Sequence, residues 1–146
     1  MLGSVAGLAS AYPLGWLTDR YGRKAVIVPA TLLSGSSMLL YCVAPSFAWF
    51  IVASLVWGTA ISALGTAPAA YAADSAPPGM NAAAMSIFRM IADLGYVVGP
   101  LALGLIADGF GAMAALILAA VLVIAAGAAF ALFAPETYRG SAARKA

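Results

Sequence analysis

Long apolar runs alternate with short polar breaks along the whole chain. A helix needs about 20 mostly apolar residues to cross a bilayer core, and the runs are close to or above that length. The breaks are a basic stretch, an Ala-Pro-Ser turn, a segment rich in proline, and an Asp-Gly-Phe-Gly turn. The pattern predicts five membrane-spanning helices and a polar tail, at about 1–18, 25–44, 47–72, 82–107, 112–134 and 135–146.

The composition favours a membrane protein and argues against several other classes. Hydrophobic residues make up 64% of the chain and charged residues 8%, whereas soluble domains have roughly 25% charged residues. The absence of histidine and the presence of a single cysteine, Cys42, argue against the usual zinc sites, a His-dependent triad and an internal disulfide. Alternating ten-residue strands are also absent. We therefore expect an all-α, polytopic membrane helix bundle, without metal, cofactor, nucleic-acid partner or enzymatic activity.

Basic residues concentrate on one side of the predicted bundle. Three of the seven lie in the first connection, three lie in the tail, and Arg89 opens the fourth span. Because basic loops stay cytoplasmic, this distribution predicts an outside N-terminus and a cytoplasmic C-terminus in the cell membrane. A secretory signal is the alternative for the first run, but four further spans follow it. Asp74 and Asp108 are expected in solvated turns.

Two short segments of the chain resemble each other. Residues 15–22 and 104–111 both read G-x-x-x-D-x-[YF]-G, and both end an apolar span. Three predicted helices separate the copies, which places them on opposite faces of the membrane. Inverted repeats of three helices are a known transporter construction. The alternative is chance similarity between two Gly-Asp-Gly turns.

Three motifs make the chain similar to transporters of the major facilitator superfamily. Residues 15–24 match the loop signature G-x-L-x-D-R-x-G-R-K without departure. A helix-bend motif resembles G-x-x-x-G-P-x-x-G-G, although Leu103 interrupts its final glycine pair; its residues are Gly95, Gly99, Pro100 and Gly104. The tail resembles the motif that ends a six-helix half, with Pro135, Glu136 and Thr137.

The resemblance implies a partial transporter fold over residues 1–146. Family members usually have twelve helices in two halves, so five spans correspond to helices two to six or eight to twelve. The position of the Pro-Glu-Thr motif favours eight to twelve. The implied function is transport of a small solute by alternating access, coupled to protons, with membrane lipid and a separately encoded N-terminal half as further partners. The alternative is a truncated membrane fragment that associates with other subunits and transports nothing.

The resemblance also implies that the signature loop is a conformational latch. Its residues are Gly15, Asp19, Arg20, Gly22, Arg23 and Lys24. The two glycines permit tight backbone turns, and the acid suits the positive end of a neighbouring helix dipole. The family loop stabilises one conformation by gripping the opposite half. The alternative is that the basic residues only set the topology.

Charged and aromatic residues inside the predicted spans are further candidates. Arg89 and Asp93 are four residues apart, so they share a helix face and can pair. An intramembrane acid suggests a role in proton coupling, and the alternative is a structural salt bridge. Trp57 and Tyr96 fall near mid-span and are candidates for the wall of a substrate cavity. Core or lipid-facing packing is the alternative for both aromatics.

Overall fold

The computed structural model describes residues 22–135 together with Trp16 and Arg20. This part of the chain contains four α-helices and no strand, which confirms the all-α prediction. The helices are α1 (Arg23–Cys42), α2 (Phe47–Asp74), α3 (Asn81–Phe110) and α4 (Ala112–Phe133). Each is long and apolar enough to cross a membrane. Apart from Trp16, the predicted first span at 1–18 lies outside the described residues.

Two helix ends differ from the sequence prediction. The expectation of turns at Asp74 and Asp108 is wrong, because α2 includes Asp74 and α3 continues to Phe110, although both acids are exposed. A helix tolerates a single internal glycine such as Gly109 at a cost of about 1 kcal/mol. The chain leaves the helix only at Gly111, whose φ of 89° is left-handed. Hydropathy marks where apolar residues stop, and the backbone remains helical beyond that point.

The glycines that end the two repeated segments adopt the same backbone conformation. Gly22 has φ 102° and ψ 160°, and Gly111 has φ 89° and ψ 156°. This region of φ and ψ is accessible essentially only to glycine. Each glycine directly precedes the first residue of a helix, α1 and α4 respectively. The shared geometry supports the repeat interpretation over chance similarity.

The helices form a ring in which each contacts two neighbours. α1 packs closely on α2 and α4, and α3 completes the ring through looser contacts with α2 and α4. No residue of α3 is buried. The buried positions of the other helices are mostly small, including Ala30, Ala53, Ala63, Ala67 and Ala120. Small interfacial residues are typical of membrane bundles, because large side chains gain nothing by leaving lipid.

Glycines bring α1 and α4 into close contact. A Cβ atom on Gly35 would lie 2.5 Å from Cγ1 of Ile124 and 3.2 Å from the Ala120 carbonyl oxygen. A Cβ atom on Gly127 would lie 3.0 Å from Cγ2 of Thr31. A side chain at Gly35 would therefore force Ile124 to shift, and one at Gly127 would leave a tight contact with Thr31.

A hydrogen bond and an aromatic contact join α1 to α2 near the short loop that connects them. Tyr41 Oη donates to Ser54 Oγ at 3.0 Å, and the rings of Tyr41 and Phe50 lie 5.0 Å apart between centroids. Such a tilted aromatic pair contributes about 0.5–1.5 kcal/mol beyond area burial. These contacts fix the loop end of the α1–α2 hairpin.

Replacing Gly35 with alanine is expected to destabilise the bundle by about 1–3 kcal/mol, because the added methyl group must displace Ile124 or separate α1 from α4. The free energy of unfolding of the purified chain in a denaturing-detergent titration measures the effect. Gly65→Ala is the matched control, since nothing lies within 4 Å of a Cβ atom there. Equal stability of the two variants would contradict the proposed close contact.

Replacing Gly111 with alanine is expected to cost about 1–3 kcal/mol, because the backbone conformation at Gly111 is strained for any residue with a side chain. Gly109→Ala is the control, since Gly109 lies two residues away inside α3 with open space around it. The same unfolding measurement should rank Gly111→Ala clearly below Gly109→Ala, and the reverse order would disprove the strain argument.

Candidate functional site: the basic end of the bundle

One end of the bundle collects charged and polar side chains from three helices. We call it the basic end: α1 begins there at Arg23, α2 finishes at Asp74, and α4 finishes at Phe133. Gly22 sets the direction in which α1 enters the bundle. α2 finishes where Ser75 Oγ donates to the Tyr71 carbonyl at 2.8 Å, and two prolines follow that favour a turn over a continued helix.

An ion pair connects the start of α1 to the end of α2. Arg23 Nε lies 3.1 Å from Asp74 Oδ2, and the two side chains are 19% and 40% exposed. An acid at the C-terminal end of a helix and a base at the N-terminal end of another both oppose the helix dipoles. Pairing the two residues offsets both unfavourable interactions. Arg23 also interacts with a group other than Asp74.

Two further contacts hold the end of α4. Lys24 Nζ donates to the Ala134 carbonyl oxygen at 2.7 Å, and Tyr71 Oη donates to the Pro135 carbonyl oxygen at 2.8 Å. Both oxygens lie just beyond α4, where carbonyl groups no longer have intrahelical partners. The Tyr71 ring packs edge-on against Phe130, with centroids 5.0 Å apart. α1 and α2 thereby fix the direction in which the chain leaves α4.

The predicted latch and tail residues fall partly within this arrangement. Arg23, Lys24 and Pro135 lie together at the basic end. The Arg20 guanidinium lies 4.9 Å from the ring centroid of Trp16, in cation–π contact. The remaining predicted residues lie outside the described part of the chain; they are Gly15, Asp19, Glu136 and Thr137.

Asp74 is the component that sequence reasoning missed. Its position after an apolar span suggested a solvated turn, yet it is the partner of Arg23. The sequence did offer one signal: Asp74 ends one predicted span, and the preceding span, which runs antiparallel to it, begins with basic residues. The pair becomes evident only once α1 and α2 are known to pack as a hairpin.

Four candidate residues of α3 lie on one side of that helix. Arg89, Asp93, Tyr96 and Pro100 are spaced four, three and four residues apart, which aligns them along one face. All four are exposed, and Tyr96 is 80% exposed. Among the residues that the structure describes, Arg89 and Asp93 form no ion pair. Their roles remain predictions.

The other intramembrane candidates also remain predictions. Trp57 lies on α2 with 39% exposure, and within residues 22–135 its ring makes no aromatic contact with Tyr96. The glycines of the helix-bend motif have open space around them; they are Gly95, Gly99 and Gly104. Packing among the described residues therefore does not account for these glycines. Pro100 has no backbone N–H, so the Tyr96 carbonyl loses the helical hydrogen bond that it would otherwise accept.

A groove of about 290 Å³ lies between the four helices close to the basic end. We call it the four-helix groove, and its wall is almost entirely apolar. Each helix contributes to the wall, with Ile27, Thr31, Pro68, Tyr71, Ala72, Phe88, Ala126, Gly127 and Phe130. Within the described ranges, no three Asp, Glu, Cys or His side chains are grouped to hold a metal ion.

Known proteins similar to this chain are transporters. The family model described as Major Facilitator Superfamily matches residues 1–146. An uncharacterized MFS-type transporter of Methanocaldococcus jannaschii is 30% identical over 108 residues, which cover 74% of this chain and 28% of that protein. The arabinose-proton symporter of Bacillus subtilis is 26% identical over 95 residues, covering 65% of this chain and 20% of the symporter.

A vertebrate protein shows the same similarity. The facilitated glucose transporter member 12 of solute carrier family 2 from Danio rerio is 29% identical over 85 residues, covering 58% of this chain and 14% of that protein. The chain thus spans less than a third of the length of these relatives. No solved structure matches the chain significantly.

The coupling energy between Arg23 and Asp74 is expected to be about 0.5–1 kcal/mol, because both side chains are partly exposed and water screens their attraction. A double-mutant cycle of Arg23→Gln and Asp74→Asn measures it by unfolding, and it separates this pair from the other interactions of Arg23. Pairing Arg23→Gln with Asp108→Asn, at the far end of α3, is the control cycle. A coupling of zero in both cycles would contradict a stabilising pair.

Proposed function

This chain belongs to the Major Facilitator Superfamily, and we propose that it is the C-terminal part of a secondary transporter. In this proposal the complete protein moves a small solute across the cytoplasmic membrane by alternating access, coupled to protons. The chain corresponds to helices eight to twelve, and its basic end faces the cytoplasm. The relatives and the family point to transport rather than to an enzymatic reaction.

The observation that carries the proposal is the intact signature loop together with the contacts of its two last residues. Arg23 and Lys24 do more than add positive charge, because each has a defined partner, at 3.1 Å and 2.7 Å. A purely topological role requires charge but no particular partner. Such contacts support a mechanical role for the loop.

The location of the contact partners refines the latch hypothesis. The described partners of Arg23 and Lys24 belong to this chain, on α2 and just after α4. We propose that these two residues fix the ends of α1, α2 and α4 relative to one another, within a rigid unit that the packing of α1 holds together. The preceding part of the loop, with Asp19 and Arg20, then grips the opposite half of the transporter. A rocking-bundle mechanism requires both a rigid unit and a breakable contact between halves.

The polar face of α3 is proposed to line the transport pathway. Arg89, Asp93 and Tyr96 share that face and are exposed in the bundle. Charged side chains within a membrane span normally face a water-filled cavity or the interior of a bundle. Asp93 is the proposed site of proton coupling, and Tyr96 and Trp57 are proposed solute contacts. Arabinose and glucose are the first solutes to test, because relatives are named for transporting them.

The second candidate is a membrane fragment that transports nothing. It is favoured by the exposure of α3, which has no buried residue and leaves the described helices without an enclosed two-sided cavity. The DNA upstream of the Met1 codon discriminates the two candidates. About seven further apolar spans, in frame or in an adjoining gene, would support the transporter. An upstream region that encodes no such spans would support the fragment.

Replacing Asp93 with asparagine in the complete transporter is expected to abolish solute accumulation driven by an imposed pH gradient. Facilitated exchange of labelled solute should remain, because the amide retains the size of the side chain and loses its ability to carry a proton. Transport into proteoliposomes, with and without the gradient, measures both activities.

Asp108→Asn is the matched control, because it removes an acid near the other end of the same helix. Its accumulation should equal that of the unmodified protein. Gradient-driven accumulation by Asp93→Asn at the unmodified rate would refute the coupling role. Loss of both activities in Asp93→Asn, with normal folding, would instead assign Asp93 to solute binding or to structure.

A further inference from the structure

We propose that the 146-residue chain associates with a second copy of itself through the polar face of α3, the face of Arg89, Asp93 and Tyr96. In this dimer, Arg89 of each copy pairs with Asp93 of the other. The inference goes beyond the proposed function, because it names a partner for this chain by itself; in a complete transporter the same face would line the pathway. Its test is association, so its outcome is separate from that of any transport measurement.

Arg89 and Asp93 lie at the depth of the hydrocarbon layer. α3 has 30 residues, so it is about 45 Å long, whereas the hydrocarbon core of a bilayer is about 30 Å thick. The two residues follow the first residue of α3 by about 12 and 18 Å along the helix. Phe88, beside Arg89, lines the apolar four-helix groove together with Ile27 and Phe130. Both charges are therefore level with apolar side chains.

Neither charge is compensated within the described part of the chain. Arg89 and Asp93 are exposed, and neither forms an ion pair or a hydrogen bond with another described side chain. A base four residues before an acid is the weaker order for pairing on one helix. The other charged residues of α1 to α4 lie within three residues of a helix end. Because charges inside a span are normally paired or turned away from lipid, this face favours an occupant that carries charge.

A second copy carries complementary charges at the required positions. Two copies have the same orientation in the membrane, because the same basic residues set their topology. A two-fold axis along the membrane normal therefore places α3 parallel to its counterpart, and the same patch of each copy meets itself. Arg89 of one copy then lies about 6 Å along the axis from Asp93 of the other. The symmetry generates two ion pairs, whereas two residues of like charge would repel each other.

The residues before and after the charged pair continue the same face. Their spacing alternates between four and three residues, which is the seven-residue repeat of parallel helices that pack side by side. They are small or apolar: Ala82, Ser86, Pro100, Leu103 and Ala107. No residue of α3 is buried within the chain, so the face is accessible to a second copy. Many helices have such spacing, and the two charges supply the specificity.

Sedimentation equilibrium of the purified 146-residue chain in density-matched detergent tests the proposal. We expect a reversible dimer. Arg89→Asp and Asp93→Arg each bring like charges together and should raise the dissociation constant about tenfold, the effect of losing two polar contacts between membrane helices. Asp108→Asn removes an acid near the far end of α3 and should dimerise like the unmodified chain. A monomeric unmodified chain, or an unchanged dissociation constant in the folded charge variants, would overturn the proposal.

Restoring the opposite charges separates pairing from misfolding. The double variant R89D/D93R carries the two charges in exchanged positions and should recover the dimer. An equimolar mixture of R89D and D93R chains should form mixed dimers, because the acidic face of one chain then meets the basic face of the other. Circular dichroism checks that each variant keeps its helices. Folded variants that associate neither as the double variant nor in the mixture would refute the charge pairing.

Disulfide cross-linking in membranes tests the parallel arrangement, in which each residue of the face lies opposite its counterpart. In a chain whose free Cys42 is replaced by alanine, Tyr96→Cys should give a cross-linked dimer on mild oxidation. Leu94→Cys is the control, since Leu94 is also exposed and lies on the opposite side of α3. Preferential cross-linking through Leu94→Cys would overturn the assignment to the polar face. Equal cross-linking at both positions would indicate non-specific association and would overturn it as well.

Discussion

The packing of α1 against both α2 and α4 is the interaction on which the rest of the bundle depends. In lipid, apolar side chains gain no free energy by leaving the solvent, so helices associate through close van der Waals contact and hydrogen bonds. Gly35 and Gly127 permit that contact on one side of α1. Ala63 and Ala67 supply it on the other side, where they cluster with Val26, Ile27 and Ala30. Large side chains such as Trp49, Leu101 and Phe133 are consequently left on the outside.

The polar contacts at the basic end depend on this packing. Arg23 reaches Asp74 and Lys24 reaches Ala134 only because α1 lies between α2 and α4 at close range. Each contact by itself is weak, since exposed ion pairs and single hydrogen bonds contribute about 1 kcal/mol. Their main effect is geometric, because they fix the positions of the three helix ends relative to one another. Among the described residues, the weakly packed α3 takes no part in them.

Hydropathy predicted the location of the helices and the fold class, because the cost of unpaired backbone groups in lipid leaves few alternatives to helices. It did not predict that α2 and α3 continue through Asp74 and Phe110, since helix ends depend on backbone conformation as well as apolarity. The signature loop identified Arg23 and Lys24, and the tail motif identified Pro135. Their partners, Asp74 and the Ala134 carbonyl, depend on which helices pack together, and a single sequence does not specify that. The roles of Arg89, Asp93, Tyr96 and Trp57 remain predictions for the same reason.

Gly22 and Gly111 place the same backbone conformation ahead of two different helices. A Cβ atom would be strained in this conformation, so the requirement falls on the glycine itself and not on the residues beside it. The connection before α1 is basic, whereas the Asp-Gly-Phe-Gly connection before α4 has no basic residue. Charge could therefore diverge between the two connections without redirecting either helix. In a chain built from repeated units, this separation lets one membrane surface acquire a new electrostatic character while the architecture is inherited unchanged.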